Sequence, residues 1–160
     1  SLVLYQIGAL FSFCKANNVA LSYVKPHGAL YNDMMKDETT FNAILKAVSS
    51  YDKNIKLMIL STNKNEIYKN RAESQGISLL YEVFADRNYT DEGILVPRTS
   101  SNAVVHDTKE VLNRVQILKN EGYITSINKK KLFLDADTIC VHGDNEQALD
   151  FIKLLHKELS

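Results

Sequence analysis

The sequence has no excess of charge of either sign. Lysine and arginine together number 19, aspartate and glutamate also number 19, and the formal net charge at pH 7 is zero. Proteins that hold nucleic acid or an anionic membrane through broad electrostatic attraction carry an excess of positive charge. The balanced composition therefore excludes that mode of binding and favours a small molecule as the substrate.

Long apolar runs are also missing. Residues 57–60 form one of the longest runs, which is far shorter than the roughly 20 residues of a membrane-spanning helix. Residues 1–5 lack the basic flank of a secretory signal peptide. We therefore expect a cytoplasmic protein.

Cysteine and glycine are scarce. The two cysteines, Cys14 and Cys140, each lie within an apolar pattern, which favours buried thiols over a disulfide in a cytosolic chain. None of the six glycines begins a Walker-type phosphate loop or a dinucleotide fingerprint, so nucleotide binding by those modes is not predicted. No repeat or linker divides the chain, and the like-charged residues 129–131 are expected to form a solvated turn. We expect one domain over residues 1–160.

Strand and helix patterns alternate along the chain. Apolar runs predict four strands, at residues 21–25, 55–60, 77–85 and 138–141. Helical spacing predicts buried stripes on the helices around them, formed by Val3, Ile7, Leu10, Phe11 and Cys14, by Phe41, Ile44, Leu45 and Val48, by Val111, Val115 and Leu118, and by Ala148, Ile152, Leu155 and Leu159. A capping residue followed three positions later by glutamate predicts two helix starts, at Asn63 with Glu66 and at Asp107 with Glu110. Glycine predicts the ends of those helices, at Gly76 and Gly122.

This alternation predicts the fold class. Right-handed strand–helix–strand units give a parallel sheet that is covered by helices. Four strands cannot close a barrel, so either the sheet is open or it is one part of a larger barrel.

Ionisable residues lie in or just after the carboxyl-terminal part of three of the four predicted strands. They are Lys25 and His27, then Glu82, Asp86 and Arg87, and finally His142 and Asp144. Ligands of parallel β/α folds bind beyond the carboxyl ends of the strands, where these residues lie. Strand alternation directs the intervening apolar residues toward the helices, namely Val24, Val83, Ala85, Ile139 and Val141. The pattern predicts one face of a hydrolytic active site.

Each candidate also has a purely structural interpretation. Lys25 can extend its ammonium group to solvent, Asp144 or Asn145 can cap the last helix, and Glu82 can form an ion pair with Arg87. Exposure is the default for the remaining candidates in loops, first turns and helices, which are Tyr31, Tyr89, Arg98, His106 and His156.

A metal site is the weakest of the chemical possibilities. The imidazoles of His27 and His142, with nearby carboxylates, are suitable ligands for zinc or manganese. No short ligand spacing is present, so the metal requirement stays unknown at this level.

Three motifs together resemble the LamB/YcsF family of 5-oxoprolinase A subunits. They are VKPHGALYN at residues 24–32, EVFADR at residues 82–87 with VPR at residues 96–98, and ICVHGD at residues 139–144. The resemblance implies part of a seven-stranded TIM-like barrel of the glycoside hydrolase and deacetylase type. It also implies ATP-dependent opening of 5-oxoproline to glutamate, with subunits B and C as partners.

The resemblance has two departures. Members of the family usually begin with a further third of chain, which carries an acidic strand motif and two histidine motifs. In addition, residues 61–64 and 145–147 differ from the loops usual in the family. Substrate contacts at these two loops are therefore not predicted.

The hypothesis that follows assigns a role to each candidate. Lys25 stabilises charge that develops on the carbonyl oxygen or the phosphorylated oxygen, His27 or Asp86 takes a proton from water, and His142 returns one to the leaving nitrogen. Arg87 or Arg98 clamps the substrate carboxylate in a bidentate pair. The remaining predicted substrate contacts are Tyr31, Glu82 and Asp144.

Two other functions compete with this hypothesis. The chain can be a non-catalytic fragment or interaction module that binds the missing segment or partner subunits through exposed sheet edges. Alternatively, it can be a metal-dependent amide or sugar deacetylase of similar fold. A homo-oligomer is a further possibility that the sequence leaves open.

Overall fold

A computed structural model describes residues 2–141 and 148–159. Its four-stranded sheet has the order β1-β2-β3-β6, and a separate two-stranded sheet pairs β4 with β5. The strands are Tyr23–Val24 (β1), Lys56–Leu60 (β2), Leu79–Phe84 (β3), Tyr123–Thr125 (β4), Lys131–Phe133 (β5) and Thr138–Cys140 (β6). The helices are Leu2–Ala16 (α1), Ala29–Met34 (α2), Glu38–Tyr51 (α3), Asn65–Ser74 (α4), Thr108–Glu121 (α5) and Ala148–Leu159 (α6).

The chain contacts divide into two compact units. Unit 1 comprises residues 1–60 and 64–81, and unit 2 comprises residues 61–63 and 82–160. Among the described residues, none of the helices is both long enough and apolar enough to cross a membrane.

Unit 1 contains β1, β2 and the beginning of β3. β1 and β2 pair in parallel, with Val24 opposite Leu57, and the Leu57 amide continues the ladder by donating to the carbonyl of Ser78 at 3.0 Å. α3 begins at Asp37, whose carboxylate accepts the Thr40 amide at 2.8 Å and caps the helix. The predicted stripe of α3 is buried, as are the apolar residues of β2. Helical periodicity therefore identified this part of the core correctly.

One prediction in unit 1 is confirmed only in part, and another is wrong. The helix predicted at the start of the chain is present as α1, but of its stripe only Ile7 is buried, Val3 and Cys14 are half-buried, and Leu10 and Phe11 are exposed. The predicted capping box at Asn63 does not form. α4 begins at Asn65, and Lys64, which occupies the N-cap position, makes no side-chain capping hydrogen bond. Gly76 does follow the end of α4, with the left-handed φ of +73° that glycine adopts without strain.

Unit 2 contains the end of β3, the β4–β5 hairpin and β6. β3 and β6 pair in parallel, with Val83 opposite Ile139 and Phe84 opposite Cys140. Ala85 lies in the core under α5 and α6, and Ile139 and Val141 pack against the same cluster. The predicted helix-facing side of these two strands is thus confirmed.

The cap predicted for α5 is also confirmed. The carboxylate of Asp107 accepts the Lys109 amide at 2.9 Å, and Gly122 ends the helix with a φ of +74°. The hairpin that follows, β4–β5, was not predicted, because the sequence analysis assigned only a solvated turn to residues 129–131. Lys129 and Lys130 do form an exposed turn, whereas Lys131 begins β5.

Candidate active site

The carboxyl end of β1 carries the first group of predicted site residues. Lys25 is half-buried, and its Nζ lies 5.6 Å from the ring centroid of Tyr31. That ring is 5% exposed, so the expectation of a solvent-exposed Tyr31 is wrong. His27 is exposed, and Gly28 then takes a φ of +62°, a conformation that allows the chain to turn directly into α2.

The carboxyl end of β3 carries two buried carboxylates. Glu82 is 3% exposed and Asp86 is 8% exposed. Because Val83 belongs to the helix-facing side, strand alternation places Glu82 on the opposite side of β3, whereas Asp86 lies in the turn that follows the strand. A carboxylate removed from water loses hydration, and such groups are concentrated at functional sites. This pair is the strongest chemical feature of unit 2.

Arg87 lies next to these carboxylates but directs its guanidinium to the backbone. Its Nε donates to the carbonyl of Ala103 at 3.1 Å, and its Nη2 donates to the carbonyl of Val96 at 2.6 Å. Burial and the neighbouring Arg98 lower the pKa of Arg87, while Asp86 acts in the opposite direction. The two hydrogen bonds to Ala103 and Val96 hold the loop of residues 88–106 in place.

Arg98 lies within that loop and is exposed. Of the two arginines predicted to bind a substrate carboxylate, Arg98 is thus the one with a solvent-accessible side chain. Bidentate pairing requires free access to the edge of the guanidinium group, which the burial of Arg87 restricts.

Further contacts anchor the same loop at both sides. From α5, Arg114 donates to the carbonyl of Arg87 at 3.0 Å and to Oδ1 of Asn88 at 2.5 Å. From the hairpin, the Ser126 hydroxyl donates to Asp91 at 2.5 Å, and hydrogen bonds from Ser126 and Asn128 lower the pKa of that carboxyl group. The loop that carries Arg98 is therefore held by defined polar contacts.

Tyr89 is a residue whose importance the sequence analysis missed. Its side chain is fully buried, and its hydroxyl accepts the Phe84 amide at 2.8 Å. Burial raises the pKa of Tyr89, with smaller contributions from Glu82 and Asp86, so the phenol stays neutral. The predicted exposure of Tyr89 is wrong, because its side chain is buried against β3. The sequence did not reveal this burial, since a contact between a loop and a strand leaves no periodic pattern.

Buried hydroxyl residues lie at the carboxyl end of β2 as well. Ser61 and Thr62 are buried, and the Ser61 amide donates to the carbonyl of Glu82 at 2.8 Å. In the sequence, this loop differs from the usual family pattern, but no function was predicted for it. Two hydroxyl residues directly after an apolar strand are a signal that could have identified them.

Of the remaining predicted residues, some lie within the described ranges and others lie outside them. Cys140, in register with Phe84, and Cys14 are both thiols outside any disulfide, and both are half-buried, whereas the prediction was of buried thiols. His142 and Asp144 lie outside the described residues. His106 and His156 are exposed, as predicted.

No group of three or more potential metal ligands occurs among the described residues. That finding applies to His27, Glu82 and Asp86 but not to His142 or Asp144. The geometry of the described part therefore assigns no metal ligands.

Comparisons with known proteins agree on one family. The family model of LamB/YcsF matches residues 1–160. The chain is 43% identical over 159 residues to the 5-oxoprolinase A subunit of Vibrio parahaemolyticus, covering 99% of this chain and 62% of that protein. It is 45% identical over 158 residues to the 5-oxoprolinase A subunit of Pyrococcus abyssi, covering 98% and 60%.

A solved structure extends this agreement to the fold. The lactam utilization protein of Thermus thermophilus matches with a TM-score of 0.85 and 32% identity, over 98% of this chain and 62% of that one. The predicted fold, parallel strands that form part of a TIM-like barrel, is confirmed. The chain spans about three-fifths of the length of these relatives. It belongs to the LamB/YcsF family.

Proposed function

We propose that this chain is part of the A subunit of an ATP-dependent 5-oxoprolinase, which opens 5-oxoproline hydrolytically to L-glutamate. Relatives that carry the name of this 5-oxoprolinase component support the assignment. The structural observation that carries it is the pair of buried carboxylates, Glu82 and Asp86, at the carboxyl end of a parallel strand. That position is where β/α folds hold their catalytic groups.

The reaction requires a base, a group that stabilises negative charge on the carbonyl oxygen, and an acid. We assign Asp86, or alternatively His27, as the base that takes a proton from the attacking water. The water oxygen bonds to the lactam carbonyl carbon, and the ammonium group of Lys25 stabilises the negative charge that develops on the carbonyl oxygen. The ring C–N bond then breaks, and His142 donates a proton to the leaving nitrogen. Ring opening consumes one water and forms one carboxylate and one amine, and the coupled cleavage of ATP to ADP and phosphate consumes a second water.

Substrate binding is assigned to a second set of side chains. The exposed guanidinium of Arg98 is the preferred partner for the carboxylate of 5-oxoproline, with Arg87 as the alternative. Tyr31, Glu82 and Asp144 complete the proposed contacts. That all these side chains act on one substrate molecule stays a prediction.

ATP and two further subunits belong to the same proposal. A five-membered lactam re-closes readily, so coupling its opening to ATP hydrolysis drives the reaction toward glutamate. The relatives are named as one subunit of 5-oxoprolinase, which implies an assembly, and we assign subunits B and C as the partners. The availability of ATP favours the cytoplasm as the location.

Substitution of Asp86, the proposed base, and of Lys25, the proposed charge-stabilising group, tests this function. In the complete protein, combined with subunits B and C, Asp86→Asn and Lys25→Ala should each lower glutamate release by about 10²-fold to 10⁴-fold. The rate is measured with 5-oxoproline and ATP. Asp33→Asn and Lys36→Ala are matched controls on exposed residues of unit 1, and they should leave turnover unchanged.

Each result distinguishes the competing functions. Near-normal turnover in Asp86→Asn or Lys25→Ala would remove that residue from the mechanism. Hydrolytic activity that needs a bound metal but no ATP would favour the deacetylase instead. Glutamate release that appears only when the rest of the family sequence is supplied would assign this chain the role of an inactive part.

A further inference from the structure

Arg114 is a largely buried arginine of α5 whose guanidinium group makes three hydrogen bonds. Its side chain is 14% exposed. Nη1 donates to the carbonyl of Arg87 at 3.0 Å, and Nη2 donates to Oδ1 of Asn88 at 2.5 Å. Nη2 also donates to Oε1 of Glu110, one helical turn earlier, at 2.8 Å. Because a guanidinium group holds its donors in a rigid plane, these bonds define where their acceptors lie.

The position of Arg114 in α5 follows from helical periodicity. Val111 and Val115 belong to the buried stripe of the helix and pack in one core cluster with Ala85. Successive residues of a helix are about 100° apart, so Arg114 lies at the edge of that stripe. The core therefore fixes the helix, and the helix presents a cation to the segment that follows β3.

The same segment is also held by its own loop. The Asn88 amide donates to the carbonyl of Ala103 at 3.0 Å. The Val105 amide donates to the carbonyl of Asp86 at 2.8 Å. Contacts from α5 and from the returning part of the loop thus meet at the peptide groups next to Asp86.

We propose that Arg114 is a positioning residue for Asp86, the base assigned in the proposed function. It fixes the carbonyl of Arg87 and the side chain of Asn88, and so fixes the peptide that follows Asp86. A base must lie within hydrogen-bonding distance of the water that it deprotonates, and a displacement of about 1 Å can lower the rate by about a hundredfold. This inference rests on the proposed function, because only that function makes Asp86 a base.

Steady-state kinetics test the positioning role. In the enzyme assembled with subunits B and C, Arg114→Met should lower kcat by roughly tenfold to a hundredfold, while KM for 5-oxoproline changes by less than about twofold. The reason is that the base is displaced and the substrate contacts are retained. Lys109→Met removes the same charge from an exposed position of α5 and should leave both constants unchanged.

Combination with Asp86→Asn separates positioning from a general effect on stability. If Arg114 acts through Asp86, adding Arg114→Met to Asp86→Asn should lower kcat by less than about twofold further. An arginine that only stabilised the loop would cause the same relative loss in both backgrounds.

Asn88→Ala tests the same contact from the other side and replaces Arg114→Met if that variant does not fold. It removes one acceptor of Arg114 and the 2.7 Å hydrogen bond from Nδ2 of Asn88 to the carbonyl of Asn102. Asn88→Ala should also lower kcat with little change in KM. Circular dichroism confirms which variants are folded.

Hydrogen exchange, followed by NMR, tests the position of the segment without turnover. The amides of Asn88 and Val105 are hydrogen-bonded in the native segment, so they should exchange roughly tenfold faster in Arg114→Met. The Lys109→Met control should leave their exchange unchanged.

Three results would overturn the inference. They are unchanged exchange at Asn88 and Val105 in Arg114→Met, an unchanged kcat in that variant, and an equal relative loss of kcat in the Asp86→Asn background. Near-normal turnover in Asp86→Asn alone would instead overturn the base assignment of the proposed function, and with it the catalytic part of this inference. Faster exchange in Arg114→Met would still show that Arg114 fixes the segment.

Discussion

Tyr89 connects the end of β3 to the loop that follows it. Its buried hydroxyl accepts the Phe84 amide, so replacement by phenylalanine keeps the ring and leaves a buried donor without an acceptor. The loss of such a bond costs about 1–3 kcal/mol. We expect Tyr89→Phe to lower the free energy of unfolding by that amount, as measured by urea denaturation. Tyr123→Phe, at a buried tyrosine of the same unit, is the control. A similar loss in both variants would contradict the special role of Tyr89.

The same residue predicts how stability depends on alkaline pH. Burial raises the pKa of Tyr89 above its ordinary value of 10.0, so the native state keeps a proton that the unfolded state releases. The stabilisation is complete below about pH 10 and is lost as the pH rises, at up to about 1.4 kcal/mol per pH unit. Unfolding free energies measured between about pH 9 and about pH 11 should therefore decrease more steeply for the unaltered chain than for Tyr89→Phe. Parallel pH dependences would refute the assignment.

The carboxylates at the end of β3 were predictable, whereas their surroundings were not. Strand alternation alone separates Glu82 from the helix-facing Val83, and Asp86 follows in the turn just after the strand. The bond from Phe84 to Tyr89 joins a strand to a loop, and no periodic pattern records it. Residue identity therefore predicted the candidate groups, and tertiary contacts determined which of them are buried.

At the scale of secondary structure, the same sequence signature, a capping residue followed three positions later by glutamate, predicted the start of both α4 and α5, but only α5 has the predicted cap. Asp107 caps α5 through the Lys109 amide, whereas Asn63 is exposed and does not cap α4. Asp107→Ala should lower the free energy of unfolding by about 0.5–2 kcal/mol. Asn63→Ala should change it by less than about 0.5 kcal/mol. Thermal or urea unfolding of both variants measures the difference, and equal effects would mean that the observed cap is not what stabilises α5.

Most elements were predictable because their signals are local. Apolar runs located the four parallel strands, and glycine located the ends of α4 and α5. β1 is shorter than predicted, since only Tyr23 and Val24 pair with β2. The β4–β5 hairpin was missed because residues 129–131, which close its turn and begin β5, were interpreted as a solvated turn alone.

For the whole molecule, alternation of strands and helices was sufficient to predict a parallel α/β fold. The apolar stripe of α1 shows what helical periodicity cannot predict. Periodicity identified an apolar face, but it could not identify the surface that covers it, and the described chain leaves Leu10 and Phe11 of that face exposed. An amphipathic pattern predicts that a face will be buried, and the identity of the covering element must come from elsewhere.

The charge balance and the exposed apolar helix together predict the solubility of the isolated chain. Its net charge is zero at pH 7, so electrostatic repulsion between copies is minimal there, and the α1 face is available for non-specific association. Solubility, measured as the concentration left after centrifugation, should pass through a minimum near pH 7. Leu10→Asp and Ile67→Asp add the same charge, but only the first changes the α1 face. We expect Leu10→Asp to raise the minimum more than Ile67→Asp does. An equal rise in both would show that charge alone limits solubility and that the α1 face takes no part.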